Sequence, residues 1–310
     1  MLPVPQPLQA VSDLPSTAPP PAHYENFPVA SWLCPPHLRA PIAAIYGFAR
    51  TADDIADEGD ADAARRLNDL AEFRADLAAA ARGETPSGRW PEVFGPLAYA
   101  IQQFKLPESL LSDLLSAFVQ DIEMTRDGGT YADRAALLDY CSRSANPIGR
   151  LLLHLYGVED PGALAQSDAI CSALQLINFW QDPSVDLPRG RFYLPVADCA
   201  AHDLTPHDLR TFRPIGVAPP PPRALALLAD EAAWARLLML EGAPLVHRLP
   251  GRAGWELRFV VQGGLRILDK IGALGFDTFS QRPTIGASDA PRMAWRALRM
   301  GIRMRRQSAA

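Results

Sequence analysis

The sequence predicts an all-α protein: one domain of eight to ten helices, arranged as an antiparallel bundle around a central apolar cavity. Three observations carry this expectation. Apolar residues recur at steps of three and four, the helical period, from Asn26 to about Ile271. No segment reads as a convincing alternating strand, no Asn-Gly hairpin occurs, and there is no βαβ rhythm. The breaks between periodic segments are short and often carry proline, as in TPSGRWP, TRDGGTYAD and PIGVAPPPPR, which suits antiparallel neighbours.

Taken in order, residues 1–22 repeat proline (LPVPQPLQ, STAPPPA) and read as a disordered or extended leader. RRLNDLAEFRADLAAAARG places Leu67, Leu70, Phe73 and Leu77 on one face and stops at Gly83. ESLLSDLLSAFVQDIEM repeats the pattern through Leu111, Leu114, Leu115, Phe118 and Ile122. RAALLDYCSRSANPIGRLLLHLYGV is apolar on most sides, as a central helix is, with a break expected near Pro147. DAICSALQLINFWQD is apolar all round as well. RALALLADEAAWARLLMLEGAPLV and WELRFVVQGGLRILDKIGAL complete a body spanning 23–285. The remainder, 286–310, is a basic tail whose APRMAWRALRMGIRMRRQ interleaves Arg with Met, Trp, Leu and Ile, the pattern of a helix that touches a membrane surface.

Bulk properties narrow the function. The 310 residues are 48% hydrophobic and 21% charged, enough for a sizeable core. A net charge of −5 gives no reason to expect nucleic acid as a partner. No apolar run approaches the ~18–20 residues that span a bilayer, and the first residues lack a basic, then apolar, signal pattern. Cys34, Cys141, Cys171 and Cys199 are scattered without a CxxC pair, which reads as free thiols in a reducing cytoplasm. The expected location is therefore cytoplasmic, with the tail allowing peripheral contact with the inner membrane.

Two stretches break the apolar pattern. YGFARTADDIADEGD carries Asp53, Asp54 and Asp57 inside an apolar helix, and LQLINFWQDPSVD carries Asp182 and Asp186. Residues four apart share a helix face, so Asp53 projects with Asp57, while Asp54 lies about 100° away. Like charges at that spacing repel by a few tenths of a kcal/mol in water, and by more when desolvated. Stability does not explain the arrangement; a divalent cation does. Hard oxygen ligands suit Mg²⁺, which keeps waters and completes its shell with substrate phosphates. Polar neighbours extend both groups. Tyr46 and Arg50 precede Asp53, Gln175 and Asn178 share a face with Asp182, and Arg191 and Tyr193 follow in RGRFYLP. The competing reading of either stretch alone is a solvated turn with surface ion pairs.

These stretches resemble the two aspartate-rich signatures of the squalene/phytoene synthase family, and the likeness runs from about His23 to Asp277. ENFPVAS, LLDYCSRSANPIGRLLLHLYG, QGGLRIL and FDTFSQRP are most similar to the hydroxysqualene-forming bacterial branch. The resemblance implies an isoprenoid synthase fold. It also implies Mg²⁺ held by Asp53, Asp57, Asp182 and Asp186, with Asp54 nearby. It places His23, Asn26, Phe27, Tyr46, Arg50, Gln175 and Asn178 on a prenyl diphosphate, Arg191 near its phosphates, and Tyr193 near the reacting carbons. Asp121 matches a further family aspartate. The implied substrate is presqualene diphosphate, converted to hydroxysqualene with water capture and no nicotinamide. The implied pathway neighbours are an upstream presqualene diphosphate synthase and a downstream hydroxysqualene reductase.

The sequence also departs from the family. Gln181 stands where relatives carry Arg, and Gly264 where they carry Tyr, so both are expected to leave space for water. Pro183 is expected to kink or end its helix. Other readings are synthesis of presqualene diphosphate, dehydrosqualene or phytoene, a class I terpene cyclase, and a helical assembly factor that kept only the fold. The second Asp-rich stretch argues against the cyclase, and the retained carboxylates argue against the assembly factor.

Overall fold

The computed structural model describes residues 34–211, 219–249 and 251–307, the last seven by their backbone. Among these residues the secondary structure is helical, with no strand. The leader 1–22 and the candidate residues His23, Asn26 and Phe27 lie outside the described residues. The helices are α1 (Pro36–Asp57), α2 (Ala63–Arg82), α3 (Pro91–Phe104), α4 (Glu108–Asp127), α5 (Arg134–Ser144), α6 (Asn146–Leu155) and α7 (Pro161–Gln181). There follow α8 (Pro183–Asp186), α9 (Val196–Ala201), α10 (Pro206–Thr211), α11 (Pro222–Gly242), α12 (Gly251–Ala273) and α13 (Ala290–Gln307). Thirteen exceed the eight to ten expected because α8, α9 and α10 are one-turn pieces in polar, proline-rich sequence, too short to show a period.

Local chemistry sets the helix ends. Asp62, Asp133 and Asp160 cap α2, α5 and α7 by accepting from Arg65, Ala136 and Ala163 N–H. Gly83 closes α2 in the left-handed region at φ 73, where a side chain would be strained. The expected break near Pro147 falls at Ala145, between α5 and α6.

Two apolar clusters hold the bundle. In one, Phe48 of α1 stacks on Phe73 of α2 with centroids 5.1 Å apart, and Phe94 and Trp90 close around them. Such aromatic pairs add about 0.5–1.5 kcal/mol each beyond area burial. The other surrounds α7, which packs on α5, α6, α11 and α12. That position explains why α7 is apolar all round. Its side chains Ile170, Leu176, Ile177 and Trp180 are buried, and among its polar residues Gln175 and Asn178 line the cavity. Gly149 lets α6 meet α7, since a Cβ there would lie 2.4 Å from Ser167 Oγ and 2.6 Å from Cys171 Sγ. The cavity, about 690 Å³, lies between the clusters, walled by α1, α4, α6, α7 and α12.

Gly264 requires a correction. It does not open onto the cavity as a substrate-binding position with room for water. It is buried where α12 crosses α7 and α11, and a Cβ would lie 2.8 Å from Met239 Cε, 3.1 Å from Ile177 Cδ1 and 3.2 Å from Leu174 Cδ2. Gly264→Tyr should therefore overpack this crossing and destabilise the fold by about 1–3 kcal/mol. A calorimetric scan in which the variant melts with the parent would show that the space is open.

Glu231 on α11 is fully buried and accepts from the Arg134 guanidinium at 3.2 Å, which Asp198 shares at 3.1 Å. Burial pushes its carboxyl up to about 7, against the pull of Arg134. A carboxyl that ionises near ~4.3 when unfolded stabilises the fold fully only below that pH, and the contribution is lost as pH rises to the folded value. Glu231→Gln does not titrate, so its melting temperature should gain on the parent's between about pH 5 and pH 8. A constant or shrinking difference would contradict the assignment.

Candidate active site

The first acidic group sits on the last turns of α1. Asp53 and Asp57 line the cavity, together with Arg50 and Tyr46 one and two turns earlier. Arg50 bridges its own helix, 2.7 Å from Asp54 and 3.4 Å from Asp53. Asp54 is not among the cavity-lining residues. The 100° offset between adjacent helix positions turns it towards Arg50, with which it pairs.

The second group forms where α7 ends. Gln175 and Asn178 line the cavity, and the helix stops at Gln181 because Pro183 cannot continue it. Asp182 is the hinge residue, and α8 brings Asp186 N–H back to the Asp182 carbonyl at 2.8 Å. Both carboxylates still line the same cavity end as Asp53 and Asp57. The link between the groups is Arg191. Its guanidinium lies 2.5 Å from Asp57 and 4.0 Å from Asp186. Burial opposes the Arg191 charge, but nearby acids, Asp57 foremost, outweigh it and raise the pKa. Burial also pushes Asp186 up to about 7, against the pull of Arg191.

An aromatic wall continues inward. The Tyr193 ring stacks on Phe179 with centroids 3.7 Å apart, and Tyr140 lies 6.3 Å from Tyr193. The Tyr140 hydroxyl donates to buried Asp121 at 2.5 Å. Burial pushes that carboxyl up to about 7, although the Tyr140 bond lowers it. The wall offers electron-rich faces beside the acidic mouth, a setting in which a passing cation is stabilised.

One element was invisible to local sequence reasoning. The segment after α12 folds back over α8. Ser184 N–H donates to the Thr278 carbonyl at 3.2 Å, and Gln181 Nε2 donates to the Pro283 carbonyl at 2.6 Å. Arg282 grips Asp182 with both arms, Nε to Oδ1 at 2.5 Å and a terminal nitrogen to Oδ2 at 3.0 Å. The positive charge missing at position 181 is thus present at 282. Gln181 itself is buried, with its amide held by the Pro283 carbonyl, and it lines the cavity. A hundred residues separate Arg282 from Asp182, so no spacing rule connects them; RP in FDTFSQRP was the only local cue.

The donor set fits a divalent cation. Carboxylate oxygens are hard ligands, and a cationic side chain already stands between two of them. Among the described residues, no group of three Asp, Glu, His or Cys side chains forms a ready-made cage. Ions held here would need further oxygens from water or from a bound diphosphate, as Mg²⁺ commonly takes them.

Comparison with known proteins places this geometry. The squalene/phytoene synthase profile matches residues 21–289. Hydroxysqualene synthase of Rhodopseudomonas palustris is 35% identical over 240 residues, 76% of this chain and 75% of that protein. Phytoene synthase of Thermus thermophilus is 31% identical over 268 residues, 86% of this chain and 85% of its own. The crystal structure of squalene synthase HpnC from Alicyclobacillus acidocaldarius superposes with a TM-score of 0.70 at 34% identity, covering 82% of this chain and 90% of the other. The helical bundle is the isoprenoid synthase fold. This chain belongs to the squalene/phytoene synthase family.

Proposed function

We propose that the chain converts presqualene diphosphate to hydroxysqualene, as a Mg²⁺-dependent carbon–oxygen lyase. The observation that carries this reading is the facing pair of acidic groups, linked through Arg191, at the mouth of an apolar cavity. The likeness to proteins named hydroxysqualene synthase selects the branch. The cavity volume falls in the range of roughly 300–1,000 Å³ typical of small-molecule sites. Ions held by Asp53, Asp57, Asp182 and Asp186 would neutralise the charge that gathers on a departing diphosphate.

The residues of the chain supply the rest. Arg50, Arg191 and Arg282 surround the mouth with positive charge and orient the diphosphate. Gln175 and Asn178 offer amide donors and acceptors on the α7 face. The apolar walls hold the two prenyl arms and exclude bulk water. Tyr193, Tyr140 and Phe179 present ring faces to the carbocation. The carbon–oxygen bond breaks with its electron pair leaving on diphosphate. A water then adds through a lone pair and loses a proton, so one water is consumed and no electrons are exchanged. A presqualene diphosphate synthase would supply the substrate, and a hydroxysqualene reductase would consume the alcohol.

Asp53→Asn and Asp182→Asn should each lower turnover at least ~100-fold with the circular dichroism spectrum unchanged, since loss of an electrostatic stabiliser of the transition state costs a few kcal/mol. Mass spectrometry of products from purified protein, Mg²⁺ and presqualene diphosphate should show hydroxysqualene. Near-normal turnover in both variants would remove the acidic mouth from the mechanism. Turnover of farnesyl diphosphate alone, with no alcohol from presqualene diphosphate, would overturn the substrate assignment.

A further inference from the structure

Helix α13 has more apolar surface than its packing uses. Its inner row, with Ala297 buried, lies along α12; Met300 Sδ accepts from Gln262 at 3.1 Å, and Arg296 pairs with Asp269 at 2.7 Å. These contacts already hold the helix in place. On its outer side Trp295 is 61% exposed and Leu298 is 49% exposed, with exposed Arg299 beside them and exposed Arg292 reaching back to Asp269 at 3.6 Å. Isolated exposed apolar residues are ordinary, but here an exposed Trp and Leu sit among exposed arginines on one side of a helix, and the neighbouring helix carries a second exposed aromatic pair. Trp255 and Phe259 of α12 are each 38% exposed, on the row that runs on through Gln262 to the α13 contact.

The charge of this region runs against that of the whole chain. The net charge is −5, yet residues 290–307 contain six arginines and no acidic residue. Tryptophan and leucine bordered by arginine on an exposed helix is the composition that settles at the headgroup boundary of a bilayer. A protein partner would not require a run of one sign; an anionic lipid surface does. The same turns of α12 that expose Trp255 and Phe259 line the cavity from within through Glu256, Leu257 and Val260.

We propose that the outer face of α13 and the adjoining turns of α12 dock on an anionic lipid bilayer and hold the apolar cavity against it. Docking itself stands on this surface alone. Its purpose, exchange of a C30 substrate and product with the membrane, rests on the function proposed above. Among the described residues no helix is long and apolar enough to cross a membrane, so the contact is a surface one.

The test is co-sedimentation of the full chain with vesicles of phosphatidylcholine, with and without phosphatidylglycerol. The protein should bind the anionic vesicles and bind them less as salt rises. Trp295→Ala with Leu298→Ala, and separately Arg292→Gln with Arg299→Gln, should each weaken binding at least about tenfold, with unchanged turnover in detergent and, for the first pair, an unchanged melting temperature. None of these four residues lines the cavity. Equal binding to neutral vesicles, or unchanged binding by both double variants, would overturn the proposal. So would no vesicle binding together with a change of sedimentation coefficient in the Trp295 and Leu298 variant, since the face would then join two copies of the chain. Vesicle binding needs no substrate, so its failure is read independently of any failure of the product assay.

Discussion

Four carboxylates at the edge of an apolar cavity repel one another, and the rest of the site is organised around that repulsion. Asp53 and Asp57 share a face of α1, and Asp182 and Asp186 converge from the end of α7. Burial makes the conflict worse, as the raised pKa of Asp186 shows. The chain supplies partial relief through guanidinium groups: Arg50 along α1, Arg191 between the groups and Arg282 on Asp182. Each is a fixed positive charge near the place where a diphosphate and its ions would sit. The arginines that offset the carboxylate repulsion are therefore the groups placed to meet an anionic ligand.

Much of this was legible in the sequence because helices report themselves locally. The three- and four-residue period marked α2, α4, α11 and α12, all-round apolar character marked α7, and the i, i+4 spacing placed Asp53 and Asp57 on one face. Pro183 correctly signalled the end of α7, since a proline nitrogen has no hydrogen to give. The illegible parts were those set by contacts between distant residues. Arg282 reaches Asp182 across a hundred residues, and Gln181 meets the Pro283 carbonyl, both through a connection whose sequence has no period. Gly264 misled for a related reason. A missing side chain in sequence suggests space, whereas in the fold the ends of Met239, Ile177 and Leu174 already occupy it.

The division of labour across the bundle follows from where polar groups can be afforded. Most α7 side chains are apolar, and of the polar ones Ser167, Gln175, Asn178 and Gln181 line the cavity while Ser172 and Asp168 bond to α6. Water capture therefore cannot rest on the vacancy first expected at Gly264. The polar lining that remains near the mouth is Gln175, Asn178, Asp121 with Tyr140, and Tyr193. A water placed there would have the two or more polar partners it needs.

The central claim is that the two acidic groups act as one metal–diphosphate centre. Titration calorimetry of Mg²⁺ with inorganic pyrophosphate tests it most directly, using the parent, Asp57→Asn, Asp186→Asn and the double variant. A shared centre predicts strong coupling, with the double variant binding no more weakly than the worse single variant, within about threefold. Additive losses, each variant weakening binding independently of the other, would show two separate sites and contradict the account.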